Sequence, residues 1–227
     1  MLNGLSLAER EIPGGWSEQD VAIGDHTFRM LLPADPDRFL DDLDESPSAP
    51  RELADPYWAK LWPAAYHLAE AMLSADWPPG TEILEIGCGS GLAGLAALAR
   101  GYRVTFSDYV PLAVVLALEN ARRNGVEANA QGMVLDWREP PPLQVKVIIA
   151  ADVLYERAKN PILVSLLEKI LAPGGVAWFG DAGRSASGDF LKLATDRGFS
   201  VMLFDEHKRP VGVPAVGQYQ RFVVRRV

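Results

Sequence analysis

The sequence predicts an α/β fold: one seven-stranded, mostly parallel sheet covered by helices on both faces. Three observations lead there. From residue 82 onward, short strand-like runs alternate with helical runs, and a βαβα order implies a parallel sheet buried on both sides. The first of these strands runs into a glycine-rich turn, Gly87-Cys-Gly-Ser-Gly91, followed by an apolar helical stretch. The last two strand-like runs, Ser200–Phe204 and Arg221–Val227, have no helix between them, so the final strand is antiparallel.

The elements follow in order. Residues 1–54 form an N-terminal extension in which Val21–Ile23 and Phe28–Leu32 flank Gly24-Asp25, the pattern of a β-hairpin. A short acidic stretch, Asp35–Leu43, leads into a Ser/Pro loop, Glu45–Pro50, expected to be mobile. The main domain spans 55–227. It opens with an apolar stripe, Trp58, Leu61, Trp62, Ala65, Leu68, Ala69 and Met72, at helical spacing, which puts both tryptophans on one helix face. Trp77-Pro-Pro-Gly80 stops that helix. Strands are expected at Glu82–Ile86, Arg103–Ser107, Gln131–Leu135, Val145–Ala150 and Gly175–Phe179. Helices are expected at Leu92–Arg100, Pro111–Asn124, Pro161–Leu171 and Gly188–Arg197. Leu171-Ala-Pro-Gly-Gly175 reads as a helix stop before a strand.

Composition narrows the function. The net charge is -8 at pH 7 and the chain lacks a long Lys/Arg run, which argues against a nucleic-acid partner held through its phosphates. An acidic chain suits a cationic partner such as a lysine-bearing protein surface. Cys88 is the single cysteine, so no internal disulfide forms, in keeping with a reducing compartment. The first residues lack the basic start and apolar core of a signal peptide, and no apolar run reaches membrane-spanning length. A cytoplasmic monomer is expected. His26, His67 and His207 are scattered with no metal-ligand spacing.

The glycine turn fits two cofactors. Gly89, Gly91 and Gly94 satisfy a dinucleotide-binding G-x-G-x-x-G, while Glu85, Gly87, Gly89 and Gly91 satisfy the acid-x-G-x-G-x-G loop of S-adenosyl-L-methionine (SAM) enzymes. Asp108 follows about twenty residues on, where an acid grips a ribose; it also suits a cap for the helix near Pro111. Two features favour SAM. The reversed C-terminal strand differs from the second parallel half usual in dinucleotide folds. Glu85 also stands beside the loop, and an acid there is favourable for a sulfonium and repulsive for a pyrophosphate.

The motifs farther along extend this reading. Pro56-Tyr-Trp-Ala-Lys-Leu-Trp-Pro63 precedes the glycine loop, Asp108 follows the second strand, Asp136-Trp137 the third, and Asp152-Val-Leu-Tyr155 the fourth. In this order and spacing the chain resembles the seven-strand protein-lysine methyltransferases of the family 16 type, over roughly residues 55–185. Gly180-Asp-Ala-Gly-Arg184 is similar to the bacterial branch that modifies the electron-transfer flavoprotein β subunit, with Ala182 where that branch usually has proline.

The resemblance implies a Rossmann-like fold, SAM as cofactor and a protein bearing a target lysine as partner. It implies cofactor contacts at Trp62, Glu85, Gly87, Gly89, Gly91, Asp108, Asp136, Trp137 and Ala151. Asp136 is then expected near the adenine amino group, with Trp137 packed on the ring. Asp152 and Tyr155 are the expected catalytic pair, the carboxylate orienting the acceptor amine and the phenol lining its channel. Packing alone also accounts for the tryptophans, and a turn cap for Asp152. Cys88 reads as a small loop residue, since no base is adjacent to it. Arg184, placed after a strand, has two readings: contact with substrate or, more commonly at such a place, a solvated surface charge. Other functions fitting the same sequence are a small-molecule N- or O-methyltransferase, an NAD-dependent oxidoreductase, and a cofactor-binding protein without catalysis.

Overall fold

The computed structural model describes residues 7, 11–41 and 56–226. The Glu45–Pro50 loop expected to be mobile lies outside the described residues. The hairpin forms as β1 (Trp16–Ile23) and β2 (His26–Pro33), paired antiparallel across Gly24-Asp25, and a short helix, α1 (Asp37–Asp41), follows. The main sheet comprises β3 (Glu82–Ile86), β4 (Arg103–Asp108), β5 (Ala130–Val134), β6 (Val145–Ala151), β7 (Leu171–Asp181), β8 (Phe199–Asp205), β9 (Pro210–Val211) and β10 (Gln220–Arg226). The helices are α2 (Pro63–Leu73), α3 (Leu92–Ala99), α4 (Pro111–Arg123), α5 (Asn160–Ile170) and α6 (Ser187–Asp196).

The strand order is β5-β4-β3-β6-β7-β10-β8-β9. β3 to β7 pair in parallel, and β10 is antiparallel to both β7 and β8, between which it inserts. All seven expected strands are present, with an eighth, the two-residue β9, added at the β8 edge. Alternation along the strands splits the core in two. Ile83, Val147 and Ile149 pack on one face with the hairpin, α2 and α3. Leu84, Ile86, Ile148 and Ala150 pack on the other with α5 and α6. Among the described residues no helix is long and apolar enough to cross a membrane.

Two expectations need correction. The continuous helix expected from Pro56 is broken. Pro56–Ala59 forms a single 3-10 turn and α2 starts only at Pro63. The reason is Pro63 itself, whose ring drives the preceding residue out of helical space; Trp62 has φ -84 and ψ 151. Trp58 and Trp62 therefore belong to different segments, and Trp58 packs edge-on against Phe39 with ring centroids 5.2 Å apart. The strand expected from Gly175 starts four residues earlier, at the helix stop itself. α5 ends at Ile170 and β7 begins at once, Leu171 pairing with Val145 before a register shift brings Val176 opposite Val147.

Two asparagines one turn apart dock the hairpin on α4. The Asn120 amide accepts from Leu31 N (2.7 Å) and donates to Leu31 O (3.1 Å) and Ser90 O (3.0 Å). Asn124 repeats the pattern, accepting from Arg29 N and donating to Arg29 O, both at 2.9 Å. Each amide stands in for a neighbouring strand. Through Ser90, Asn120 ties the extension directly to the glycine loop.

Candidate active site

A cavity of ≈ 420 Å³ opens at the C-terminal ends of β3, β4 and β6, where ligands of α/β sheets bind. One part of its wall is the glycine loop. Gly87 and Gly89 have φ of 62 and 50, a left-handed conformation that glycine adopts at no steric cost. A Cβ on Gly87 would press on Val153 Cγ1 (3.0 Å) and Trp137 Cζ2 (3.3 Å), and one on Gly89 on Trp58 O (3.3 Å). Gly91 turns elsewhere: it caps α3 with φ 82, and a Cβ there would meet Ala117 Cβ at 2.8 Å. It packs α3 against α4, while its neighbours line the cavity.

Three acids face this part of the wall. Glu85 is buried and its Oε2 accepts from Gly94 N (3.1 Å). Burial pushes its carboxyl up to about 8, Gly94 N–H opposing and Asp108 adding. A Cβ on Gly94 would overlap the Phe106 ring and the Glu85 carboxylate, so the third glycine of the G-x-G-x-x-G serves packing. Asp108 accepts from Gly89 N (3.0 Å) through Oδ2 and from Val110 N (2.9 Å) through Oδ1, so it braces the loop and caps the turn before α4 at once. Asp136 is engaged by Arg138, whose Nη2 lies 2.6 Å from Oδ2 and whose backbone N donates to Oδ1 at 3.0 Å. Trp137 packs beside Gly87 with its Nε1 buried and without a hydrogen-bond partner. Ala151 closes the wall at the end of β6. Burial, with Asp108 and Glu85 nearby, pushes the Cys88 thiol up, which keeps it a neutral loop residue.

The rest of the wall is aromatic and ionic. The Tyr57 ring centroid lies 6.3 Å from Trp62 and 5.2 Å from Tyr155. Asp152 lines the same cavity, with positive φ (53) and a side chain only 2% exposed. Its Oδ2 accepts from Ala64 N at 2.7 Å, capping the first turn of α2 rather than its own turn. Its Oδ1 is buried without a hydrogen-bond partner, 3.7 Å from Arg184 Nη2. Burial raises the Asp152 carboxyl, while Ala64 N–H and then Arg184 pull it down.

Of the two readings of Arg184, its place in the cavity wall favours contact with substrate over a solvated surface charge. Its guanidinium lies 5.4 Å over the Trp62 ring. Asp181 accepts from Gly183 N and Arg184 N, both at 2.9 Å, and so fixes this turn; burial pushes its own carboxyl up to about 6. Tyr57, Lys60 and Lys159 also line the cavity, though none stands out in the sequence; Tyr57 and Lys60 belong to the Pro56–Pro63 motif. Lys159 stands one turn past Tyr155, to whose Oη it donates at 2.8 Å.

The geometry fits SAM. The loop presents acids rather than basic groups, which suits hydroxyl and amine donors and a sulfonium, and the two glycines leave room for close approach. The antiparallel β10 removes the second parallel half expected of an NAD enzyme. The fold is that of the class I SAM-dependent methyltransferases. A TehB-like SAM-dependent methyltransferase from Corynebacterium glutamicum superimposes with TM-score 0.56 at 20% identity, covering 86% of this chain and 100% of its own. Residues 52–196 match the family described as lysine methyltransferase, and the chain belongs to that family, with SAM as its cofactor. It is 26% identical over 135 residues to EEF1A lysine methyltransferase 3 of Mus musculus, covering 57% of this chain and 58% of that protein. It is 31% identical over 137 residues to the electron transfer flavoprotein beta subunit lysine methyltransferase of Xenopus laevis, covering 58% of this chain and 54% of that protein. The chain thus spans little more than half the length of these relatives.

Proposed function

We propose that this chain transfers a methyl group from SAM to the side-chain amine of a lysine on another protein, working as a cytoplasmic monomer. The observation that carries the reading is Asp152: a buried carboxylate whose Oδ1 has no hydrogen-bond partner and faces Arg184 at 3.7 Å, in the wall of the cavity that Tyr57, Trp62, Tyr155 and the glycine loop also line. The names of both relatives, each a lysine methyltransferase acting on a protein, support a protein acceptor.

Gly87, Gly89 and Asp108 would hold the adenosine and ribose, Trp137 and Asp136 would serve the base, and Glu85 would offset the cationic end. SAM supplies a methyl group on a sulfonium, already activated for in-line displacement. The enzyme's remaining work is alignment and proton handling. The aromatic faces and Asp152 receive the target lysine as a cation. A lysine attacks only as the neutral amine, and a carboxylate with raised proton affinity is the better acceptor for the proton it sheds. Tyr155 narrows the channel and gives the amine a hydrogen-bonding partner.

The test is methyl transfer from tritiated SAM to proteins of a cell lysate, followed by complete hydrolysis. Label recovered as methyllysine is the expected result. Label recovered only in small molecules, or as another methylated residue, would overturn the lysine assignment.

A further inference from the structure

Lys159 already makes one of the contacts assigned above to an incoming lysine, the one with Tyr155. Its Nζ donates to Tyr155 Oη at 2.8 Å and stands 4.7 Å over the Tyr155 ring. The side chain lines the cavity, is only 25% exposed and also pairs with Glu156 Oε1 at 3.1 Å. Lys60, the other lysine in the wall, is more exposed, at 40%; it pairs with Asp37 at 2.9 Å and stands 5.6 Å over the Trp62 ring. Lys159 is anchored at the turn Arg157–Lys159 that leads into α5, a short tether from Tyr155. A lysine held against the acceptor-channel tyrosine by the chain's own backbone has a high effective concentration there.

Resting on the reading of Tyr155 as part of the acceptor channel, we infer that Lys159 is a methylation site of the enzyme itself, modified in cis. The neutral Lys159 Nζ uses its lone pair to form the new N–C bond as the S–C bond breaks. The electron pair of that bond stays on sulfur, S-adenosylhomocysteine leaves, and the proton shed by the amine passes to water. Methylation reduces the amine's hydrogen-bonding capacity and adds bulk over Tyr155. A lysine that begins as an occupant of the channel so becomes a permanent part of its wall.

The experiment incubates the purified full chain with trideuteromethyl SAM and maps the label by peptide mass spectrometry. One to three labelled methyl groups on Lys159, none on Lys60, and no label in Lys159→Arg are expected. The labelled fraction should rise at a rate independent of protein concentration. A rate that climbs with protein concentration makes the transfer intermolecular and overturns the cis assignment. A second readout needs no turnover. Mild acetylation of the ligand-free protein labels Lys159, and saturating S-adenosylhomocysteine shields it. Acetylation unaffected by that ligand puts the amine away from the cofactor and overturns the inference. Absence of label on Lys159, in a preparation that forms methyllysine on lysate proteins, defeats this inference alone. Absence of methyllysine everywhere, with SAM bound, defeats the proposed function with it.

Discussion

At the scale of single residues, the acids around the glycine loop make the sharpest predictions. Glu85 has a native value near 8 against an ordinary value of 4.5. Between the two, the native state holds more protons than the unfolded chain, so stability falls as pH rises through this window and levels off above it. Asp181, near 6, acts in the same direction lower in the range. Glu85→Gln keeps an oxygen for Gly94 N and should flatten the thermal midpoint above about pH 6; an unchanged slope would mean Glu85 is ionised in the native state. A sulfonium beside Glu85 favours the ionised form, so SAM binding at pH 7 should release a fraction of a proton, seen as a buffer-dependent binding enthalpy. Asp108→Ala should weaken SAM by on the order of tenfold or more through lost charge-assisted hydrogen bonds. Unaltered affinity in the folded variant would remove Asp108 from the cofactor site. These acids were legible because they stand at strand ends after recognisable motifs. Arg184 was not: its partner Trp62 lies far away in sequence, and only the folded chain brings them together.

At the scale of elements, the strands and most helices were legible because alternation and apolar runs persist through the sheet. The failure at Pro56–Trp62 is instructive. A stripe at spacings of three and four describes an apolar surface, and a 3-10 turn followed by a fresh helix presents much the same surface. Pro63 was the visible signal for the break, since proline favours the first helical position and extends the residue before it. The third glycine makes an element-level prediction. Gly94→Ala must push α3 away from β3 and the Phe106 ring, so it should cost about 1–3 kcal/mol of stability, read by denaturant unfolding. A variant as stable as the parent would show that this contact relaxes freely.

At the scale of the whole molecule, the N-terminal hairpin was legible as a hairpin, but its docking was not. Asn120 and Asn124 look in sequence like polar helix residues, yet Asn120 is fully buried and joins β2 to Ser90 of the glycine loop. Asn120→Ala leaves Leu31 N–H, Leu31 C=O and Ser90 C=O without this partner and should cost about 1–3 kcal/mol. Hydrogen exchange at Leu31 should accelerate more than at the β3 core. Equal protection of Leu31 in the variant and the parent would show the hairpin to be held by its apolar face alone.

The central claim is that the buried carboxylate at the end of β6 handles the acceptor amine and not the cofactor. Asp152→Asn isolates it, because asparagine tolerates the left-handed backbone and still accepts from Ala64 N. The decisive measurement is the rate of methyl transfer to lysine at saturating SAM by this variant against the parent. A fall of roughly a hundredfold or more, the range of a lost general base, is what the account predicts. Transfer at the parental rate would contradict it and return Asp152 to the role of a helix cap.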